Sequence, residues 1–335
     1  MRRIPRRPGA LFALGLIAAA SLPTASPRAA GWELSQPVRL FVPGSSGGGA
    51  DEMARVIQGI VSRHKLMAQP LEVVLRPGKG GAESFSEVQS ARGNPHVMVL
   101  GLTNLFTTPL ATGTPGWREM TPVSMLALDQ FVLWVNAASP HRTVAEFVAA
   151  AKAGSLQVGG TGSKQEDELI TSAMARATGA RFAYMPLRGG SEVAQALIER
   201  QVDATVNNPS EAVADWMSGK LRPLCVFHGA RLEATAKVTD TQAWSDIPTC
   251  KEAGLNVEYS MLRGILLPPG VAAEQRAFYE SLFKRMSETP AWKETLENGV
   301  FNPTMLSGDA FSQWLATEEE RHREWMRAAG FLPKQ

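Results

Sequence analysis

The stretch QPVRLFVPGSSGGGADEMARVIQGI, Gln36 to Ile60, decides how the chain is read. An apolar run from Val38 to Val42 breaks into Pro43-Gly44-Ser45-Ser46-Gly47-Gly48-Gly49, and apolar residues then recur at Met53, Val56, Ile57, Ile60 and Val61. The first segment has the length of a buried strand and the second the period of a helix. A turn of small residues joins them. The first N–H groups of a helix have no intrahelical partner, and the helix dipole adds partial positive charge there. Glycine lets a ligand approach that main chain closely, so Pro43–Asp51 is built like a cradle for an anion. Asp51 and Glu52 fit the first helical turn, where acids suit the dipole. A carboxylate there repels a bound anion, so Asp51 is expected to anchor the loop or meet a donor on the ligand.

The unit recurs in kind. RPGKGG (Arg76–Gly81), GGTGSKQEDE (Gly159–Glu168) and PLRGGSE (Pro186–Glu192) each follow a strand candidate and open a helix candidate. Strands are expected at 38–42, 71–75, 97–102, 131–135, 157–159, 182–185, 204–206 and 221–227. Helices are expected at 51–63, 82–90, 144–153, 165–178, 192–199 and 209–218, with a mostly helical tail from Ala272 to Gly330. Alternation of this sort predicts an α/β chain with helices flanking sheets. In such sheets ligands bind beyond the carboxyl ends of the strands, where these turns cluster. One charge-assisted hydrogen bond contributes about 1.5–3 kcal/mol, and micromolar binding needs about −8 kcal/mol. A few such bonds from each of two loops suffice.

With 335 residues, 44% of them hydrophobic, the chain can bury a large core and is expected to form two domains packed together without a linker tract. Residues 1–30 differ from the rest. Arg2, Arg3, Arg6 and Arg7 precede the apolar stretch Leu11–Ala20, too short for an ordinary membrane span, and SLPTASPRAAGW follows. This predicts an export signal cleaved near residues 25–30, with Ala25 and Ala30 as candidate ends. Its loss removes five arginines and takes the formal charge from +2 to −3. Such a chain is a poor fit for nucleic acid, which a basic surface recognises. The two cysteines, Cys225 and Cys250, permit one disulfide after export; two unpaired buried side chains are the alternative.

Other chemistries fit less well. The opening turn has no lysine for a phosphate loop and lacks the G-x-G-x-x-G dinucleotide pattern. Gly44-Ser45-Ser46-Gly47-Gly48 does match G-x-S-x-G, a hydrolase elbow with Ser46 as nucleophile and His228 or His322 as the later histidine. That elbow ordinarily follows a central strand rather than the first one. The cysteines are far apart and the five histidines scattered, so neither a metal nor a cofactor is expected.

Several motifs in order resemble one family. VPGSSGGGADEMAR, RPGKGGAES, HVMVLGLTNLFTTPL, VGGTGSKQEDELITSAMARATG, YMPLRGGSEVAQALIERQVDATVNNPSE and IPTCKEAGLNVEYSMLRGILLPPGV are together similar to the periplasmic solute receptors of tripartite tricarboxylate transporters, the TctC or Bug type. The resemblance covers nearly the whole chain after Gly31. It implies a two-domain periplasmic-binding-protein fold of the Venus-flytrap kind, each domain a mixed sheet flanked by helices, with a ligand in the interdomain cleft. Mapped onto this chain, it implies domains of 31–130 plus 256–335 and of 131–255. A non-catalytic, monomeric receptor is implied, which hands a small organic carboxylate to membrane transporter subunits. Ligand contacts carried over by the motifs are Ser45, Ser46, Gly47, Gly48 and Asp51 on one side and Thr161, Gly162 and Ser163 on the other. Thr103, Asn104, Arg188, Gly189 and Asn207 line the remainder. Arg188 and Arg263 are each placed to fork a carboxylate, with a hinge or surface ion pair as the alternative for Arg263. Lys164 departs from the small residue expected in its loop and is read as pointing to solvent.

Overall fold

The computed structural model describes Met1 and residues 32–332, so the segment read as an export signal lies, Met1 apart, outside the described residues. The first elements are β1 (Val38–Val42), α1 (Gly49–Arg63), β2 (Leu71–Leu75), α2 (Ala82–Ser90), β3 (Val97–Gly101), α3 (Asn104–Thr112) and β4 (Thr121–Gln130). Next come β5 (Val132–Asn136), α4 (Val144–Ala153), β6 (Ser155–Thr161), α5 (Glu166–Thr178), β7 (Arg181–Leu187), α6 (Gly190–Ile198), β8 (Ala204–Asn207), α7 (Pro209–Met217) and β9 (Leu221–Val226). The chain ends with β10 (Ser260–Leu267), α8 (Ala273–Ser287), α9 (Pro290–Asn298), β11 (Leu306–Ser307) and α10 (Gly308–Ala328).

Two mixed sheets result, both flanked by helices. One has the order β11-β4-β10-β3-β1-β2, the other β7-β6-β8-β5-β9. In the first, β1 runs parallel to β2 and β3, while β10 is antiparallel to β3 and β4. In the second, β6 runs parallel to β7 and β8, while β5 is antiparallel to β8 and β9. Because β1, β3, β6 and β8 are parallel neighbours, their carboxyl ends, with the small-residue turns, gather at one edge of each sheet. Helix α1 shows why these segments fold as they do. Its Met53, Ala54, Ile57, Ile60 and Val61 are all buried and share a face at helical spacing, while Asp51 and Glu52 stand in the first turn.

The chain leaves the first sheet at Phe131 and returns before β10, and the two passages run side by side. The N–H of Phe227 donates to the carbonyl of Phe131 at 2.8 Å, and that of Tyr259 to the carbonyl of Phe227 at 2.7 Å. The Phe131 and Tyr259 rings pack edge to face at 5.6 Å. Cys225, in β9, is joined to Cys250, so the cysteines are bridged rather than free. Four elements lie outside the sequence expectations: β4, β10, β11 and α3.

Candidate functional site

The opening turn folds as its composition requires. Gly47 has φ +74°, a backbone conformation that side chains disfavour. Its N–H donates to Asp51 Oδ2 at 3.0 Å, and Asp51 Oδ1 meets Arg55 Nε at 2.8 Å. Asp51 is thus the anchor of its own loop. On the second sheet the corresponding turn is held the same way: the N–H of Thr161 donates to Asp167 Oδ2 at 2.6 Å, and that of Gly162 to the carbonyl of Leu187 at 2.8 Å. The hydroxyl of Tyr184 donates to the carbonyl of Gly162 at 2.9 Å, fixing the loop from behind.

These turns meet. A cavity of about 440 Å³ is lined by Ser45 and Gly48 from the first loop, Thr161 and Gly162 from the second, and Arg188 and Gly189 from the third; Asn104 and Arg263 line it too. That volume lies in the range of small-molecule sites, about 300–1,000 Å³. The loops also touch directly: Ser45 Oγ donates to the carbonyl of Arg188 at 3.2 Å, and Ser191 Oγ to the carbonyl of Gly47 at 3.1 Å. Thr107 Oγ1 donates to Gln165 Oε1 at 2.8 Å. Among the described residues, the main-chain N–H groups of Ser45, Gly189 and Gly190 donate to no protein acceptor, and all three residues line the cavity. A Cβ on Gly190 would fall 2.1 Å from the Glu211 carboxyl carbon, so any side chain there would displace that carboxylate.

The remaining predicted residues stand elsewhere. Ser46 is exposed and lines only an adjoining hollow with Arg188, Gly189 and Ser191. Gly47 and Asp51 do not line the cavity. Thr103 is buried against the Tyr259 hydroxyl at 3.2 Å, behind the wall. Ser163 is exposed, its Oγ on Glu168 Oε2 at 3.0 Å. Asn207 is buried, its Nδ2 donating to the Gly190 carbonyl at 3.3 Å and to Glu211 Oε2 at 3.2 Å. Both forks expected to seize a carboxylate are occupied. Arg188, its side chain 90% exposed, pairs with Glu192 at 3.1 Å; Arg263, 1% exposed, is locked to Asp129. Lys164 is exposed, as read.

Three lining acids were missed by sequence reasoning, Glu166, Asp167 and Glu211. Each stands in the first turn of a helix, and a first-turn acid reads as a partner for the helix dipole. Their effect on the site is electrostatic. Loss of surrounding water raises Glu166 to about 7 and Asp129 to about 6, the latter against the pull of Arg263. Burial also pushes Asp167 and Glu52 up. For a hydrolase the geometry is wrong. His322 is buried, Nε2 at 2.7 Å from the Tyr259 hydroxyl and Nδ1 at 2.8 Å from the Glu318 carbonyl. Burial lowers it to about 4. His228 is half-buried and its Nδ1 lies 2.9 Å from the Ala230 carbonyl. Among the described residues no group of three His, Cys, Asp or Glu is placed to hold a metal, and no helix is long and apolar enough to cross a membrane.

Comparisons with known proteins agree with this architecture. The model of the tripartite tricarboxylate transporter family receptor, TctC, matches residues 53–331. A solved TctC solute-binding protein from Polaromonas is 25% identical, with a TM-score of 0.67 over 88% of this chain and 98% of that one. Rpa4515 of Rhodopseudomonas palustris, solved with adipate, is 22% identical, with a TM-score of 0.80 over 90% of this chain and 99% of that one. MatC of the same organism, solved with bound malate, is 20% identical, with a TM-score of 0.75 over 88% and 99%. The fold is that of the periplasmic binding proteins, and the chain belongs to the tripartite tricarboxylate transporter receptor family, TctC, as a non-enzymatic solute-binding receptor.

Proposed function

We propose that this receptor captures a small organic carboxylate between two lobes, residues 31–130 with 256–335 and residues 131–255, and delivers it to tripartite tricarboxylate transporter subunits in the membrane. The observation that carries this is the cavity shared by loops of both sheets, lined by Ser45, Gly189 and Gly190, whose main-chain N–H groups donate to no protein acceptor among the described residues. A ligand shifts an open–closed balance only by its differential affinity for the two states. A carboxylate held by Ser45 from one side and Gly189 or Gly190 from the other supplies that difference, because its bonds complete only on closure. The side-by-side passages at Phe131 and Tyr259 are the natural hinge. Rpa4515 and MatC, alike in fold, were solved with adipate and malate. Export with removal of the N-terminal segment would place the receptor in the periplasm.

A thermal-shift screen of C4–C6 di- and tricarboxylic acids tests the proposal. A bound acid stabilises the folded chain by about 2.7 kcal/mol at a hundredfold excess over Kd, and so raises the melting temperature as its concentration rises. Ser45→Trp, which fills the cavity from a loop, should erase the shift and leave the unliganded melting temperature in place. A panel without any shift would remove the proposal.

A further inference from the structure

Thr103, Tyr259 and His322 form a buried chain of hydrogen bonds, none of the three more than 2% exposed. The direction of the chain follows from its partners. The Glu318 carbonyl, 2.8 Å from His322 Nδ1, can only accept, so Nδ1 carries the proton. Burial lowers His322 to about 4, so the ring is neutral near pH 7 and Nε2 has no hydrogen. The Tyr259 hydroxyl, 2.7 Å away, therefore donates to Nε2. Tyr259 has one hydrogen to give, which leaves the Thr103 hydroxyl to donate to the Tyr259 oxygen at 3.2 Å.

What this chain holds is the start of α3. Thr103 immediately precedes the helix, and its carbonyl accepts from the N–H groups of Phe106 and Thr107 at 2.9 and 3.1 Å. His322 grips α3 a second time, its ring stacked on Phe106 at a centroid distance of 5.0 Å. From there α3 reaches the cleft at three places. Asn104 lines the cavity, Thr107 Oγ1 donates to Gln165 of the second lobe, and Thr108 Oγ1 donates to the carbonyl of Gly80, another lining residue, at 2.7 Å. The Tyr259 end of the chain stands in the passages between the lobes. There its N–H meets the Phe227 carbonyl and its ring packs on Phe131, which also lines the cavity. Close-packed interiors transmit displacement, so Tyr259 cannot shift without carrying Thr103 along. Resting on the two-lobe reading above, we propose that Tyr259 is a positioning residue. Oriented by His322, it couples the bend of the interlobe passages to the start of α3, so that Thr107 meets Gln165 as the lobes close.

The test is hydrogen–deuterium exchange of the full chain, read by mass spectrometry on peptides spanning 103–112 and 159–168. It needs no ligand, so its outcome is separate from that of the acid screen. Tyr259→Phe and Thr103→Val each delete the Thr103–Tyr259 bond and keep the shape. Each should speed exchange in both peptides about fivefold, the size of one net hydrogen bond. The double replacement should speed it no further than Tyr259→Phe alone, because both remove the same bond. Acceleration in 103–112 alone overturns the inference, since α3 would then loosen without the second lobe. Acceleration spread over both sheets with a matching fall in melting temperature also overturns it, because lost stability alone would do that. So does unchanged exchange in both variants.

Discussion

Glu211 Oε1 accepts a hydrogen bond from the N–H of Gly49 at 3.3 Å, tying the start of α7, beside the second sheet, to the start of α1, beside the first. An internal carboxylate thereby sits at the helix terminus that the sequence marks as an anion cradle. Its other oxygen accepts from Asn207 Nδ2 at 3.2 Å and from the N–H of Asn208 at 3.3 Å, so one side chain joins three segments.

Glu211→Ala should lower the free energy of unfolding by about 1–3 kcal/mol, the cost of leaving those donors unmet. Urea denaturation reads this directly. An unchanged midpoint would mean that water replaces the carboxylate without loss.

The pair Arg263–Asp129 is buried on both sides, each side chain 1% exposed. Removing one partner strands a charge away from water. Arg263→Met or Asp129→Ala alone should therefore destabilise by about 3–5 kcal/mol, while the double replacement should cost clearly less than the two together. Additive losses would contradict this.

The bridge Cys225–Cys250 closes a loop with a sequence separation of 25. Loop closure of that length constrains the unfolded chain by about 2–4 kcal/mol. Reduction, or replacement of both cysteines by alanine, should lower the urea midpoint accordingly. Equal stability of the oxidised and reduced chains would show that the bridge adds nothing.

Much of this was legible beforehand because β1, α1 and the turn between them carry separate signals: an apolar run, helical spacing and glycine. Helices α2 and α4 were legible for the same reason. Strand β10 was not, since SMLRGILL is buried at nearly every position and so shows no alternation, with a charged residue and a glycine at its centre. Strand β4 likewise opens on Thr-Pro and ends on Asp-Gln, which read as turn residues. Helix α3 holds Pro109, and its TTP run hides it. In the site, glycine loops were findable from composition. Glu166 and Glu211 were not, because their exposure to the cavity is decided by how the two sheets face one another. The arginines' partners were hidden for a related reason: which acid pairs with Arg188 or Arg263 depends on where Glu192 and Asp129 lie in space, and that is not written in spacing alone.

Stability should respond to pH through opposed groups. Glu166, raised from 4.5 to about 7, keeps its proton in the folded chain over that interval, and so does Asp129 from 3.8 to about 6. The unfolded chain then binds fewer protons, so both groups make stability fall as pH rises from about 4 to 7. His322, lowered from 6.5 to about 4, works the other way: stability it contributes near neutrality is lost as pH falls through that window. Glu166→Gln separates the terms. Relative to the unaltered chain it should gain about 1–3 kcal/mol between pH 4.5 and 7.5, measured as urea midpoints at successive pH values. A flat difference would place Glu166 at an ordinary carboxylate value.

The most direct measurement is a crystal structure of the receptor grown with whichever acid raises its melting temperature most. Density for that acid should lie between the N–H groups of Ser45 and Gly189, in the cavity that Gly162 and Asn104 also line. Density at any other surface, with the space between these loops filled by water alone, would contradict the account.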